Sequence, residues 1–402
     1  MSAAPTGPAA AGRFPHVRVR GGARQRGRRY GELAGARVRR SIQAYDAVFA
    51  HYAQWDPARV RREALRYVEP IEAFGPAYLE ELRGIAEGAG VPFDDVLAIN
   101  VRTEVMYAAK ARNAAAMLPR TLECTAFAAV PTSVDAAVPT SVDAGIEAGG
   151  RPVLVGQNWD WKTHASQTVV VLEVDPDDGP RYVTLVEAGL LAKTGLNAAG
   201  LGVVTNAMVT DRDVGAPGVP YHVMLRALLD ALTPAAALAT LQRATRSSSA
   251  HYLLAHRDGL ALGVEATPGG FADLHLTDPD ARGVIVHTNH AVHPRVAATD
   301  VGVWLMPDSV FRLQRAQRWL DTHDPGDPAT YEALLADHAG HPTGICCHPE
   351  PGALPTEQDA TILSVIMDLD AGTLRLADGL PCTTGYRIVD RSTFLATGEP
   401  GP

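Results

Sequence analysis

Cys124 is the residue of this chain whose type and position best suit a nucleophile. It stands in LPRTLECTAFAAVP, where a helical segment gives way to an apolar strand. A thiolate is a strong nucleophile, but a single cysteine before an apolar strand is more often a small buried hydrophobic residue. This stretch taken alone therefore favours a structural role.

Polar side chains at the ends of later predicted strands shift the balance towards catalysis. The segment GQNWDW, which contains Asp160, closes a Val/Leu strand. Asn206 ends the stretch GLNAAGLGVVTN, and Asn289 ends the strand VIVHTN. Amide and carboxylate groups at successive strand ends can surround a nucleophile with hydrogen-bond donors and charge.

Clusters of histidine and cysteine suggest a metal site as an alternative. HTNHAVHP contains His287, His290 and His293, and HPTGICCHP contains His341, Cys346, Cys347 and His348. Neither stretch has the paired CxxC or HExxH pattern of a zinc site. Spacings of three across a strand end do not gather three rings on one face. We expect no metal site, and a metal-dependent hydrolase remains the third hypothesis.

Composition and missing motifs exclude several other classes. The sequence has no Walker pattern, no GxGxxG between a strand and a helix, and no GxSxG. The net charge of −9 argues against a general nucleic-acid binder. No apolar run reaches the ~18 residues of a membrane span, and the first residues lack a signal-peptide pattern. With only four cysteines, a reduced cytoplasmic location is expected.

The elements that must position these residues change in character along the chain. Residues 1–12 are rich in Ala, Pro and Gly and predict a disordered leader. Residues 13–123 predict a mostly helical region, from apolar spacings of three to five. Residues 124–402 predict strands, then helices, then strands again. This order is typical of a layered protein with stacked, largely antiparallel sheets.

Taken in order, ECT, GQNWDW, GLNAAGLGVVTN and HTNH resemble the acyl-coenzyme A:6-aminopenicillanic acid acyltransferase family of self-cleaving cysteine N-terminal nucleophile (Ntn) hydrolases. Choloylglycine hydrolases are more distant relatives. The likeness includes VRGGARQRGRRYGELAG and INVRTEV, and spans roughly residues 14–390. It implies an α+β class, a four-layer αββα sandwich made as a precursor. Cleavage between Glu123 and Cys124 would leave an alpha chain, 1–123, and a beta chain, 124–402, as a heterodimer.

In a chain cleaved in this way, Cys124 would carry both the nucleophile and its base. An α-amine titrates near ~7.7–8.0 and a thiol near ~8.5, so the amine can take the thiol proton close to neutral pH. No catalytic histidine is then needed.

The resemblance also implies roles for five other residues. Asp160 would orient and stabilise the α-amine, Asn289 would donate to the oxyanion, and Asn206 would line the site beside it. Trp159 and Trp161 would form aromatic walls for an acyl chain, with core packing as the alternative for at least one of them. Loss of an oxyanion donor typically lowers turnover by ~10²–10³-fold.

The function that follows is an autoproteolytic amidohydrolase or acyltransferase, acting on an amide-linked acyl group through a Cys124 thioester. The alternative is an uncleaved, catalytically silent binding protein on the same fold. Small N-acyl compounds are the expected substrates; no cofactor is expected, and acyl-coenzyme A is a candidate co-substrate. Glu123 stands where the best-known relative has Gly. Arg312, in DSVFRLQR, lies in a region where the bile-salt relatives carry a catalytic Arg.

Overall fold

The structure is a computed structural model that describes residues 14–112, 124–132 and 151–399. The expected leader, 1–12, and the cleavage-site residue Glu123 therefore lie outside the described residues. Within these ranges, no helix combines the length and the apolar character needed to cross a membrane.

Two β-sheets form the centre of the fold. The eight-stranded sheet contains, in spatial order, β1 (His16–Gly21), β4 (Val169–Pro176), β5 (Tyr182–Glu187), β6 (Thr194–Asn197), β7 (Leu201–Ala207), β8 (Ala250–His256), β9 (Leu260–Ala266) and β10 (Leu274–Thr277). The six-stranded sheet contains β11 (Val284–His287), β2 (Cys124–Ala129), β3 (Leu154–Lys162), β12 (Asp359–Asp368), β13 (Thr373–Ala377) and β14 (Arg387–Asp390). Pairing is antiparallel except between β1 and β4, which run parallel.

Helices lie before, between and after the strands. They are α1 (Ala23–Val48), α2 (Pro57–Ala64), α3 (Val68–Phe74), α4 (Pro76–Ala89), α5 (Phe93–Asn100), α6 (Arg102–Arg112), α7 (Tyr221–Leu228), α8 (Pro234–Arg243), α9 (Gly302–Leu305), α10 (Asp308–Leu320), α11 (Pro328–Leu335), α12 (Pro381–Thr384) and α13 (Ser392–Thr397). A π-helical turn, Phe49–Ala53, continues α1, and 3₁₀ turns lie at Leu65–Tyr67, Thr163–Gln167 and Phe271–Asp273.

The elements stack in four layers. Helices α1 and α8 pack against strands of the eight-stranded sheet, whereas α10 and α11 pack against the six-stranded sheet. Strands β2 and β3 face β7 across the space between the sheets. Apolar side chains on both inner faces exclude water from this space, which stabilises the stack. The expected αββα sandwich of class α+β is thus confirmed.

Residues 14–112 are mostly helical, and they also contain one strand, β1, that the local sequence pattern did not predict. In β1, Val17 and Val19 are buried, while the arginines between and after them are more exposed. This alternation fits an edge strand, which pairs in parallel with β4. Residues 16–21 therefore contribute a strand to a sheet whose other strands lie beyond Cys124.

Candidate active site

Polar side chains from distant parts of the sequence meet at Cys124, the first residue of β2. The main-chain N–H of Cys124 donates to Asn289 Oδ1 at 2.7 Å. The carbonyl oxygen of Cys124 accepts from Asn206 Nδ2 at 3.0 Å. The main-chain N–H of Asp160 is directed at the sulfur and favours the thiolate. Asn289, Asn206 and Asp160 therefore contact the N–H, the carbonyl oxygen and the sulfur of Cys124.

Side chains of GQNWDW, in β3, alternate between the two faces of the sheet and make hydrogen bonds on both. Gln157 Oε1 accepts from the main-chain N–H of Thr205, in the facing sheet, at 2.9 Å. The next residue, Asn158, points the other way and donates to the carbonyls of Leu335 and Ile345, in and beyond α11. Because neighbouring side chains alternate between faces, one short segment can connect the sheet interface and the outer helices.

Arg312, on α10, holds the main chain around Cys124. Its Nη1 donates to the carbonyl oxygen of Cys124 at 3.0 Å, and its Nη2 donates to Asn289 Oδ1 at 3.1 Å. Asp308, one helical turn earlier, accepts from Nε at 2.9 Å. The guanidinium is buried and spread over these partners, so it fixes several groups at once. The sequence suggested the region of Arg312 but not its contacts.

The orientation of Asn289 adds a role to the one expected from the sequence. Its Oδ1 faces two donors, Cys124 N and Arg312, which places Nδ2 on the other side, where it donates to the Ala207 carbonyl at 2.9 Å. The main-chain N–H of Asn289 donates to Ser309 Oγ at 2.8 Å, which anchors the residue after β11 ends. Asn289 therefore positions the nitrogen of Cys124. Donation to an oxyanion would use its second amide hydrogen and stays a prediction.

Asp160 has one satisfied and one unsatisfied carboxylate oxygen. Oδ1 accepts from the hydroxyl of Thr361, which lies directly opposite on β12. Oδ2 is buried and has no hydrogen-bond partner among the described residues. Burial raises the pKa of Asp160 to about 7, against the lowering effects of Thr361 and Arg312. An unpaired buried acceptor costs free energy, so Oδ2 marks a place for a donor.

The thiol of Cys124 is a poor nucleophile as the intact chain presents it. Burial raises its pKa to about 11. The positive charges of Lys193 and Arg312 lower this pKa, and the charge of Asp160 raises it. The thiol is therefore protonated at neutral pH and needs a base close by to react.

A small cavity of about 20 Å³ lies against the thiol. Its lining residues are Arg102, Thr103, Cys124, Trp159, Asp160, Trp161, Lys193, Ala207 and Tyr221. Both tryptophans are almost fully buried, and Trp161 Nε1 donates to Tyr45 Oη at 2.7 Å. A space of this size holds about one water molecule, so an acyl substrate requires the walls to rearrange. The role of the tryptophans as acyl-chain walls stays a prediction.

Lys193 is a site residue that the sequence analysis missed. It is buried between β5 and β6, its Nζ donates to Tyr221 Oη at 3.0 Å, and it lies 5.4 Å from the centre of the Trp159 ring. Burial lowers its pKa to about 8. The signal was its place in LLAKTGLN, a rare lysine between apolar and glycine-rich residues.

Replacement of this lysine tests whether its charge acts on the thiol. In Lys193→Met the stabilising positive charge is gone, so the pKa of the Cys124 thiol should rise by about one unit or more. The pH midpoint for alkylation of Cys124 by iodoacetamide should then move upwards in the processed protein. Lys162→Met is the matched control, because the other buried lysine pairs with Asp359. An equal midpoint in Lys193→Met and wild type would contradict the assignment.

The histidine trio of HTNHAVHP does not form a ligand cluster within the described part of the chain. His287 Nε2 contacts Glu265 Oε1 at 3.0 Å, whereas His290 Nδ1 contacts Ser309 Oγ at 2.8 Å. The rings take separate partners around Asn289. They support the strand end that carries this residue.

Comparisons with known proteins show the family of this chain. A family model described as acyl-coenzyme A:6-aminopenicillanic acid acyl-transferase matches residues 147–381. The acyl-coenzyme A:6-aminopenicillanic-acid-acyltransferase 40 kDa form of Emericella nidulans is 24% identical over 355 residues, which cover 88% of this chain and 89% of that relative.

Two solved structures show a weaker likeness. A mutant of the conjugated bile acid hydrolase from Clostridium perfringens matches with a TM-score of 0.40 and 12% identity, over 66% of this chain and 92% of that one. Penicillin V acylase from Agrobacterium tumefaciens matches with a TM-score of 0.40 and 14% identity, over 69% of this chain and 89% of that one.

Proposed function

Since the chain belongs to the acyl-coenzyme A:6-aminopenicillanic acid acyl-transferase family, we propose that it is a self-processing enzyme that cleaves amide-linked acyl groups through a thioester on Cys124. Family membership supports acyl-amide chemistry in general. The cleavage, the N-terminal nucleophile and the thioester are the finer parts of the proposal.

The observation that carries this proposal is the set of polar groups that surrounds the main-chain nitrogen of Cys124. Asn289 Oδ1 accepts from this nitrogen, and Arg312 holds the same oxygen. Asp160, which lines the same cavity, keeps one buried oxygen unpartnered. A buried cysteine in a binding protein does not require these acceptors at its nitrogen. A free α-amine does require them, because it has more hydrogens to donate than a main-chain amide.

Maturation begins with attack of the Cys124 sulfur on the carbonyl carbon of Glu123. The C–N bond between the two residues breaks, the acyl group moves to sulfur, and the nitrogen becomes the α-amine. Water then hydrolyses this thioester, which releases the thiol and a carboxylate on residue 123. Arg312 and Asn206 hold the carbonyl of Cys124 on the other side of the reacting centre, so the nucleophile keeps its place.

In turnover, the α-amine takes the proton of the thiol, and the thiolate attacks the substrate carbonyl. The amine then returns the proton to the leaving nitrogen, and the acyl group stays on sulfur as a thioester. Asp160 and Asn289 hold the protonated amine between them, and Lys193 stabilises the thiolate. Oxyanion donation comes from the second amide hydrogen of Asn289, with Asn206 beside it.

The substrates we propose are small N-acyl compounds. Capture of the thioester by water gives hydrolysis, whereas capture by an amine gives acyl transfer. Acyl-coenzyme A would enter as a donor of the acyl group, by transfer to the same sulfur. The working form is the heterodimer of chains 1–123 and 124–402.

Intact mass and labelling of the purified protein test this proposal. We expect two chains, the larger beginning at Cys124, with iodoacetamide on that cysteine. A screen of N-acyl amino acids, N-acyl amines and penicillins, with and without acyl-coenzyme A, then identifies the substrate class. One uncleaved chain with an unlabelled Cys124 would instead support the silent binding protein.

A further inference from the structure

A second set of reactive side chains lies outside the active site, in the loop that follows α11. It consists of His338, Cys346 and His348 from this loop and Cys382 from α12, and we call it the loop cluster. Each residue contributes one ligand atom, and all four atoms lie within 4.8 Å of one another. These four side chains therefore point to a common centre.

Four of the six distances between ligand atoms of the loop cluster lie close to the edges of a tetrahedron around one ion. The two sulfurs are 3.6 Å apart, the two Nε2 atoms are 3.0 Å apart, and His348 Nε2 lies 3.6 Å and 3.5 Å from the sulfurs of Cys346 and Cys382. Zinc bonds of ~2.3 Å to sulfur and ~2.0 Å to nitrogen give tetrahedral edges of roughly 3.8, 3.3 and 3.5 Å for these pairs. The observed edges match this order.

We propose that the loop cluster binds one Zn²⁺ through two cysteine sulfurs and two histidine nitrogens. Four protein ligands complete the coordination of zinc and leave no open position, so the ion would be structural rather than catalytic. The thiolates supply two negative charges that balance the charge of the ion. The assignment of this site does not rest on the function proposed for Cys124.

The alternatives explain less of the geometry. A disulfide between Cys346 and Cys382 needs a sulfur–sulfur distance of ~2.05 Å and gives no reason for two imidazoles beside it. A shared proton between the histidines explains their contact but not the approach of both sulfurs. One cation at the centre accounts for every contact in the cluster.

The surroundings suit a metal site. Cys346 is buried, His348 and Cys382 are half-buried, and His338 is exposed, which leaves a path from solvent. Asp337 fixes the loop, because its carbonyl accepts from Cys346 N and its carboxylate accepts from Ala339 N, both at 3.0 Å. Backbone contacts of this kind orient the ligands before an ion arrives.

The stretch HPTGICCHP has no zinc-site spacing, because only two of its residues, Cys346 and His348, belong to the loop cluster. Cys347, the neighbour of a ligand, is buried away from the loop cluster, and its main-chain N–H donates to Thr361 Oγ1 at 3.0 Å. The missing ligands come from His338, before this stretch, and from Cys382, on a separate helix. Such a split set has no recognisable spacing.

Zinc would also support the active site from a distance. The ion would join the loop to α12. Cys347 connects that loop to Thr361, because its carbonyl oxygen accepts from Thr361 N and its main-chain N–H donates to Thr361 Oγ1, both at 3.0 Å. Thr361 in turn donates to Asp160. The loop cluster is therefore a positioning device for the wall that carries Asp160.

The test is the zinc content of the purified full chain, measured after growth with added Zn²⁺ and gel filtration. We expect about one zinc per chain in wild type and in Cys347→Ser, the matched control with the neighbouring thiol removed. Cys382→Ser and His348→Ala should retain at least about tenfold less zinc after brief exposure to a chelator, because each removes one of four ligands. Chelator should lower the melting temperature of wild type but not that of Cys382→Ser.

Cobalt provides a readout that does not depend on the variants folding. Wild type loaded with Co²⁺ should show the intense visible bands of tetrahedral cobalt and thiolate charge-transfer bands in the near ultraviolet. Zinc-free wild type that takes up no Co²⁺ would overturn the proposal. So would zinc content unchanged in folded Cys382→Ser, or an intact mass that shows a Cys346–Cys382 disulfide.

Discussion

A chain that carries Cys124→Ala is expected to be purified as one full-length polypeptide without activity. The acyl shift then has no sulfur to accept the acyl group, so the bond between Glu123 and residue 124 stays intact. Loss of a nucleophile of this kind lowers turnover by at least about 10⁴-fold. The methyl group fits where the thiol lay, so the precursor should fold. Intact mass, circular dichroism and turnover of the screened substrate check these three statements.

Cys124→Ser is the matched variant for this experiment. A hydroxyl is the weaker nucleophile at neutral pH, so processing should continue slowly and the two chains should accumulate over time. If Cys124→Ala also yields two chains, another group or a contaminating protease makes the cut, and the self-cleavage proposal fails.

Asp160→Asn is expected to lower the turnover of the processed enzyme by about 10²-fold or more, with little loss of stability. The amide keeps the shape of the carboxylate and can still accept from Thr361 through its oxygen. It removes the negative charge that holds the protonated α-amine in the proposed mechanism. The measurements are kcat on the processed protein and thermal melts beside it.

The pKa of Asp160 also predicts how the stability of the uncleaved chain changes with pH. In the Cys124→Ala background no α-amine is present, and the pKa of Asp160 lies near 7, above its ordinary value of 3.8, because the carboxyl is buried. The folded chain then binds the proton of this carboxyl more tightly than the unfolded chain does. Protonated Asp160 therefore stabilises the folded chain at acid pH, and this contribution to the free energy of unfolding is lost as the pH rises through about 7. Asp160→Asn should therefore melt no lower than its parent at pH 8.

Asp213→Asn is the control for burial alone. Asp213 is also a buried carboxyl with a pKa raised to about 6, but its oxygens accept from Thr210 and Ser249, away from Cys124. Its loss should lower the melting temperature and leave the turnover of the folded enzyme unchanged. A large fall in the melting temperature of Asp160→Asn with normal turnover would make Asp160 a structural residue.

Repeating patterns account for most elements that could be predicted from the sequence. Helices α4 and α10 and strands β9 and β13 each carry such a pattern in their own residues. Burial of one face imposes a period on the residues, and this period is visible without a fold. The strands β6, β10 and β14 have four residues each, too few for a period to show.

β1 was missed for a different reason. Two valines between arginines look like part of a basic leader, and the segment becomes a strand because β4 offers its free edge. The local sequence pattern does not show that β1 pairs with residues more than a hundred positions away. The same holds for Arg312, whose side chain reaches Cys124 across 188 positions of sequence.

The sequence by itself indicated Cys124 as the candidate nucleophile, the amide and carboxylate residues at the strand ends, and the layered class, because residue type and period are local properties. The tertiary structure alone decided which oxygen of Asp160 lacks a partner and that Asn289 turns its oxygen to Cys124. It also decided that Lys193 lies by the thiol and that Cys382 joins the loop cluster. These features depend on which groups approach each other in space, and non-local contacts of single side chains leave no spacing in the sequence.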